Sequence, residues 1–217
     1  KGKIKFSLQN VSKWKGYCSD AGTETETDPD LKFMDPQPNL IISADGLTAT
    51  TDAEVNSCTI IVKSFDYGAF GKLRAETLTV EGQTMNCVAA VTEDDGDVYE
   101  YATIPRDEDA DKMADSWERS VLPLTMSSIV ELVPSFDDDF AYGRESINLH
   151  STTGDGLYAF DEYRGFIIKD GSHKRTKPCE KNIFFFKHTD VLGNPSTLEL
   201  QRLGYDSIEL KVDQINA

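Results

Sequence analysis

Residues 73–91, LRAETLTVEGQTMNCVAAV, decide the fold class of this chain. The stretch is rich in threonine, valine and leucine, residues that suit the half-buried surface of a β-sheet. Gly82 interrupts it with a turn signal. Two short strand-like runs separated by a glycine-containing turn are typical of antiparallel pairing. We therefore expect strands at 73–80 and 85–91.

The sequence on either side of this stretch continues the same pattern. Strand-like runs occupy 4–8, 40–42, 47–50, 57–62 and 98–104, and an Ala44-Asp45-Gly46 turn separates two of them. Residues 19–39 are acidic and contain prolines, which predicts a long loop. Short strands with frequent turns favour an antiparallel sandwich over a βαβ fold. The predicted fold is mainly β, with an immunoglobulin-like (Ig-like) β-sandwich domain at 1–104.

The character of the chain changes after Pro105. Residues 114–121 lack turn formers and predict a short helix, and 157–164 predict a second one, ended by Gly165. Further strands are expected at 166–169, 182–188 and 207–212, whereas 197–203 fits either a helix or a strand. Residues 105–217 are thus predicted to form a second segment with two short helices and additional strands.

The chain is strongly acidic. It has 22 lysine and arginine residues against 38 aspartates and glutamates, a formal net charge of −16. Binding to phosphate needs a basic surface, so we expect no nucleic-acid partner. No apolar run approaches the roughly 18 residues that span a bilayer, so we expect no membrane insertion. Solubility alone explains diffuse acidity, but clustered acids favour divalent cations as ligands.

The strongest functional signal is the segment 107–118, DEDADKMADSWE. An EF-hand loop takes side-chain oxygens from positions 1, 3, 5 and 9, a backbone carbonyl from position 7 and a bidentate glutamate at position 12. Those positions hold the residues Asp107, Asp109, Asp111, Asp115, Met113 and Glu118. Position 6, usually glycine, is Lys112, which predicts a weaker site. The alternative interpretation is a solvated acidic loop.

A second and weaker loop lies at 151–162. Gly156 falls at position 6 and Glu162 at position 12. Positions 1 and 3 hold Ser151 and Thr153, which are weak ligands, and Asp155 follows them. A glycine turn leading into a helix explains the same residues. Asp155 and Glu162 are therefore candidate calcium ligands, with the simple turn left open as the alternative.

Four cysteines, Cys18, Cys58, Cys87 and Cys179, show no CxxC spacing, which argues against zinc ribbons and thioredoxin-type sites. Two disulfides in an oxidising compartment are compatible with this number, and so are four buried free thiols. If bridges form, a Cys58–Cys87 pair within the β-domain is favoured, with Cys18–Cys179 as the second pair.

Three segments carry a resemblance to a family. Residues 104–118, IPRDEDADKMADSWE, and 154–168, GDGLYAFDEYRGFII, resemble paired segments of large secreted bacterial proteins, and 65–76, FDYGAFGKLRAE, is similar to the end of the Ig-like region that precedes them. The resemblance implies EF-hand or dockerin-like calcium loops at the aspartates and glutamates named above. Some members continue into an HExxH protease region, and this sequence contains no HExxH.

An enzyme is the least favoured class of function. The three histidines, His150, His173 and His188, lack ligand or triad spacing, and no nucleophile elbow, P-loop or dinucleotide fingerprint occurs. We expect an extracellular calcium-binding structural protein of a bacterial surface, matrix, adhesion or filament system. Its partners would be further copies, through spare edge strands such as 3–8 or 208–212, or another surface protein or glycan. The alternative is a carbohydrate- or protein-binding module accessory to a larger secreted hydrolase.

Overall fold

The computed structural model describes residues 1–13, 27–80, 83–92, 98–121, 159–177, 182–185 and 206–209. The chain divides into two compact units between Arg106 and Asp107. Most regular structure in the described residues is β-strand, with two short helices, so the mainly-β prediction is confirmed.

The first unit is built from short antiparallel strands. Its strands are β1 (Gly2–Gln9), β2 (Leu31–Phe33), β3 (Leu40–Ile42), β4 (Thr48–Thr51), β5 (Val62–Ser64), β6 (Gly71–Val80), β7 (Gln83–Val88), β8 (Val91–Thr92), β9 (Val98–Tyr99) and β10 (Ala102–Ile104). The main sheet has the order β10-β6-β1-β4-β3, and β7 also pairs with β6. The pairs β2–β5 and β8–β9 are separate two-stranded ladders.

Strand β1 lies inside the main sheet. Phe6 is opposite Ala49 of β4 on one side and opposite Ala75 of β6 on the other. Both rows of its backbone groups therefore meet a neighbouring strand. The expectation that residues 3–8 are a spare strand for self-association is wrong, because a strand paired on both sides has no edge to offer.

The core of the first unit lies under the alternating side chains of β1. Phe6 and Leu8 are buried from one face of that strand, and Leu31 and Phe33 are buried from β2. The main sheet and the β2–β5 ladder thus share one apolar core, which Ala49 and Ala69 complete. Burial of such side chains supplies most of the stability of a domain of this size.

Two local expectations differ from the structure. Residues 19–39 are not all loop, since they contain β2, which pairs with β5. The strand expected at 57–62 begins only at Val62, because the side chain of Gln37 takes the place of a partner strand. Its amide accepts a hydrogen bond from the Ile61 N–H at 2.6 Å and donates to the Ile61 carbonyl at 2.9 Å.

The Cys58–Cys87 disulfide, the pair favoured if bridges form, is not present in the structure. Both thiols are free, and they occupy different surroundings. Cys58 is half-buried against the core next to Ile60, whereas Cys87 is exposed on β7, where it lies opposite Thr77. Cys18 and Cys179 lie outside the described residues.

The second unit begins with the acidic loop and contains both helices. Its elements are α1 (Asp115–Val121), α2 (Ala159–Arg164), β11 (Phe166–Ile167), β12 (His173–Lys174), β13 (Asn182–Phe185) and β14 (Asp206–Glu209). Strands β11 and β12 pair antiparallel, and β13 and β14 pair parallel. The expected strand segments at 186–188 and 210–212, and the segment 197–203, lie outside the described residues.

None of the helices in the described residues is long and apolar enough to cross a lipid bilayer.

Thr51 supplies a side-chain acceptor within the main sheet. It is fully buried, and its Oγ1 accepts the hydrogen bond of the Ile4 N–H at 3.0 Å. We expect Thr51→Val to lower the free energy of unfolding by about 1–3 kcal/mol, because the isosteric change leaves a buried N–H without an acceptor. Urea denaturation followed by circular dichroism measures this. The control is Thr50→Val, a half-buried position on the same strand, and an equal loss in the two variants would contradict the prediction.

Candidate metal site

The loop at 107–118 curls around its own carboxylates. Asp107 accepts hydrogen bonds from two backbone N–H groups farther along the loop, from Asp111 at 3.2 Å and from Lys112 at 2.9 Å. Asp111 in turn accepts from the Met113 N–H at 2.8 Å. Aspartates commonly form such turns with backbone N–H groups two or more residues ahead. The sequence thus folds locally into a tight turn whose acidic side chains point inward.

Three of the predicted ligands converge. One carboxylate oxygen from each of Asp107, Asp109 and Asp111 lies within 4.8 Å of the others. Calcium binds oxygens at 2.3–2.6 Å, so two ligands of one ion lie at most about 5 Å apart. The second oxygen of Asp111 is buried and makes no hydrogen bond within the described part of the chain. The spacing and the unsatisfied acceptor both fit a hard cation.

Glu118, the predicted position-12 ligand, is buried on α1, but among the described residues it does not belong to the close group of carboxylates formed by Asp107, Asp109 and Asp111. Its side chain is only 8% exposed, and among the residues that the structure describes no hydrogen bond or ion pair reaches its carboxylate. Burial raises the pKa of Glu118 to about 8, and Asp111, Asp109, Asp115 and Asp107 add to the rise in that order. A carboxyl group buried beside like charges is held in its neutral form until a cation compensates it.

The pKa values of two aspartates of the loop are raised as well. Burial raises the pKa of Asp111 to about 6, with the charges of Asp109, Asp107 and Asp115 contributing. The pKa of Asp107 is also raised, first by burial and then by its contacts with Asp109. In both residues hydrogen bonds from backbone N–H groups offset part of the rise. The loop therefore concentrates more negative charge than its own hydrogen bonds neutralise.

Asp115 is placed differently from the other predicted ligands. One of its oxygens accepts a hydrogen bond from the Glu108 N–H at 2.9 Å, and the other lies 3.5 Å from the Arg119 guanidinium. Its side chain is 7% exposed. Both oxygens are thus engaged in closing the start of the loop onto α1, which suits the position-9 residue of an EF-hand, where the contact to the ion often passes through water.

Met113 and Trp117 anchor the loop in a small apolar cluster. Met113 has no exposed surface, and Trp117 meets Tyr163 of α2 edge-on with ring centroids 5.1 Å apart. Ala114 and Ala159 complete the buried cluster. The position-7 residue, expected to contribute its carbonyl, thereby fixes the backbone on which the aspartates are mounted.

The second predicted loop is only partly described. Asp155 lies outside the described residues, and Glu162 is 1% exposed on α2. Glu162 does not belong to the close group of carboxylates formed by Asp107, Asp109 and Asp111 among the described residues. Gly165, the expected helix terminator, has a φ of 75° and donates its N–H to the Asp161 carbonyl.

No role for Arg175 was evident from the sequence. Its guanidinium lies 4.3 Å from the centroid of the Tyr163 ring. Burial raises the pKa of Tyr163, Arg175 lowers it, and Asp107 and Asp111 raise it further. Tyr163 therefore lies close enough to the acidic loop to sense its charge. A cation three residues after the Asp170-Gly171-Ser172 turn was the only signal available in the sequence.

Comparison of the chain with protein-family models, with curated proteins and with solved structures gives no match.

The loop stores backbone strain at Lys112. Its φ is 79°, in the left-handed region that costs a non-glycine residue about 1 kcal/mol or more. We expect the free energy of unfolding of the chelator-treated protein to be about 1 kcal/mol higher in Lys112→Gly than in Lys112→Ala. Both variants lose the lysine charge, so their difference isolates the strain. Thermal denaturation in a chelator measures it, and an alanine variant as stable as the glycine variant would disprove the strain.

Proposed function

We propose that this chain is an extracellular calcium-binding structural protein of a bacterial surface or matrix, without catalytic activity. An Ig-like β-unit would precede an EF-hand-like loop in it. The observation that carries the proposal is the convergence of Asp107, Asp109 and Asp111, in which one carboxylate oxygen of each residue lies within 4.8 Å of the others. Calcium is the ion whose ligand chemistry, all oxygen and mostly carboxylate, these side chains match.

The ligands would be Asp107, Asp109, Asp111, the carbonyl of Met113 and Glu118. Bound calcium supplies positive charge at the point where these carboxylates repel one another. Glu118 and Asp111 would then give up their protons, since a neighbouring cation favours the charged form of a carboxyl group. Zinc fits less well because it prefers nitrogen and sulfur in a four-ligand site.

Calcium in this position would have a structural effect. Met113 follows Asp107, Asp109 and Asp111 in the loop and is fully buried. Trp117 and Glu118 are consecutive residues of α1. An ion that fixes Glu118 therefore also fixes the aromatic contact between Trp117 and Tyr163. A ligand that binds only the folded state adds its binding free energy to stability.

The extracellular and structural parts of the proposal rest on other features. The net charge of −16 and the resemblance to secreted bacterial proteins support a surface location. The shared core of the main sheet and the β2–β5 ladder supports an Ig-like arrangement. Millimolar calcium is the range in which extracellular modules work, and the lysine at position 6 suits a weak site.

Exposed aromatic rings favour a second candidate, a carbohydrate-binding module accessory to a larger secreted hydrolase. Tyr99 is 37% exposed, and its ring centroid lies 6.1 Å from that of Tyr101. Aromatic faces suit the apolar faces of sugar rings, as they suit other amphipathic partners. We expect any glycan retained on an array to be lost with Tyr99→Ala. Retention by that variant would exclude this surface.

Calcium titration by calorimetry on the chelator-treated protein tests the main proposal. We expect one site in the wild type, weakened about tenfold or more by Asp107→Ala and by Glu118→Gln, because each removes a charged ligand. The matched control is Asp170→Asn in the same unit, an exposed aspartate that holds a turn through Ser172. It should bind calcium as the wild type does.

Two outcomes would overturn the proposal. If the wild type fails to bind calcium at millimolar concentrations, the loop is a solvated acidic turn. If Glu118→Gln binds as tightly as the control, the buried glutamate is not a ligand. Circular dichroism of each variant shows whether the unit has remained folded.

A further inference from the structure

Strand β3 forms one end of the main sheet. Among the described residues it is hydrogen-bonded to β4 alone, with Ile41 opposite Thr50 and Ile42 opposite Ala49. Two bonds that flank this ladder fix its pattern: Ser43 N–H donates to the Thr48 carbonyl, and Asp52 N–H donates to the Asn39 carbonyl. Hydrogen-bonded pairs alternate with non-bonded pairs in an antiparallel ladder. The backbone N–H and carbonyl of Ile41 therefore point toward β4, and those of Leu40 and Ile42 point away from it.

The outward-facing backbone groups are largely open. Leu40 N–H donates to the Gln37 carbonyl at 3.4 Å. The N–H of Ile42 and the carbonyls of Leu40 and Ile42 have no backbone partner within the described part of the chain. Such a row of donors and acceptors is a template on which an extended segment adds as a further strand.

Apolar side chains accompany this edge. Leu40 and Ile42 pack against the core, so Ile41 points to the other face, where it is 62% exposed. Met34 and Ile61, 46% and 52% exposed, lie at the connection that leads from β2 into β3. Gln37 binds the backbone of both, at 2.7 Å to the Met34 carbonyl and 2.9 Å to that of Ile61. The edge thus lies beside apolar surface, as a strand-binding site requires.

Carboxylates surround the same edge. Asp45 lies in the turn after β3, Asp52 lies beside Asn39, and Asp35 follows Met34. All three are exposed, and hydrogen bonds from Ser43 and Leu47 lower the pKa of Asp45, which holds its charge. The ammonium groups of Lys32 and Lys63 lie over the Phe65 ring. A second copy of so acidic a chain is a poor occupant, and a basic strand is a good one.

We propose that the outer edge of β3 binds an extended, basic segment of a partner protein, which adds a strand to the main sheet. Backbone bonds to Leu40 and Ile42 would provide the pairing, and alternate apolar side chains would meet Ile41. Lysine or arginine side chains elsewhere in the segment would be attracted by the negative charge of the three aspartates. The site lies entirely in the first unit and does not depend on calcium, so either proposal can fail alone.

The probe is a fluorescein-labelled eight-residue peptide of alternating lysine and valine, measured by fluorescence anisotropy with the full chain in a chelator. We expect binding to weaken about tenfold in Ile41→Lys, since a charge on an edge strand repels a basic partner and removes the apolar contact. The matched control is Val98→Lys, the same substitution at a residue that is 64% exposed on β9. It should bind as the wild type does.

A second measurement reports on the backbone. The Ile42 amide should exchange rapidly with deuterium in the free protein and at least severalfold more slowly with the peptide bound. A peptide of alternating glutamate and valine should not protect it. The proposal is overturned if the basic peptide does not bind, if both lysine variants bind alike, or if the Ile42 amide is unaffected. Self-association lost in Ile41→Lys, without peptide binding, would make the occupant a second copy and equally overturn it.

Discussion

The repulsion among the carboxylates of loop 107–118 is the constraint on which the second unit depends. The turn that buries Glu118 also brings Asp107, Asp109 and Asp111 together, so the fold cannot form without crowding these charges. Backbone N–H groups and Arg119 relieve part of the repulsion at the margins of the loop. The rest is relieved either by protons, which the raised pKa values of Asp111 and Glu118 favour, or by a cation.

The two units are stabilised in different ways. In the first, a main sheet and a two-stranded ladder bury Phe6, Leu8, Leu31 and Phe33 in one apolar core. In the second, the described apolar cluster is small and gathers around Met113, Trp117 and Tyr163. An ion bound only by the folded loop beside this cluster would add its binding free energy to the stability of the unit.

The sequence predicted the parts of the fold that depend on local pattern. Alternation at 4–8 and the turn at Asp45-Gly46 correctly indicated β1 and the β3–β4 hairpin, and the spacing of acids located the turn of the second unit. The sequence did not predict the features that depend on contacts between residues far apart in the chain. Nothing local shows that the Gln37 side chain would bond to the backbone of Ile61, that Leu31 would pair with Ser64, or that two cysteines in strand-like runs would be free thiols.

The central place of β1 constrains the order in which the first unit can assemble. The chain makes Gly2–Gln9 first, but one side of this strand pairs only when Gly71–Val80 has followed it. The middle of the sheet is therefore closed by the contacts with the greatest sequence separation, which makes loop closure the slow part of folding. Until then the strand presents bare backbone on that side, which is a template for unwanted pairing with another unfolded chain.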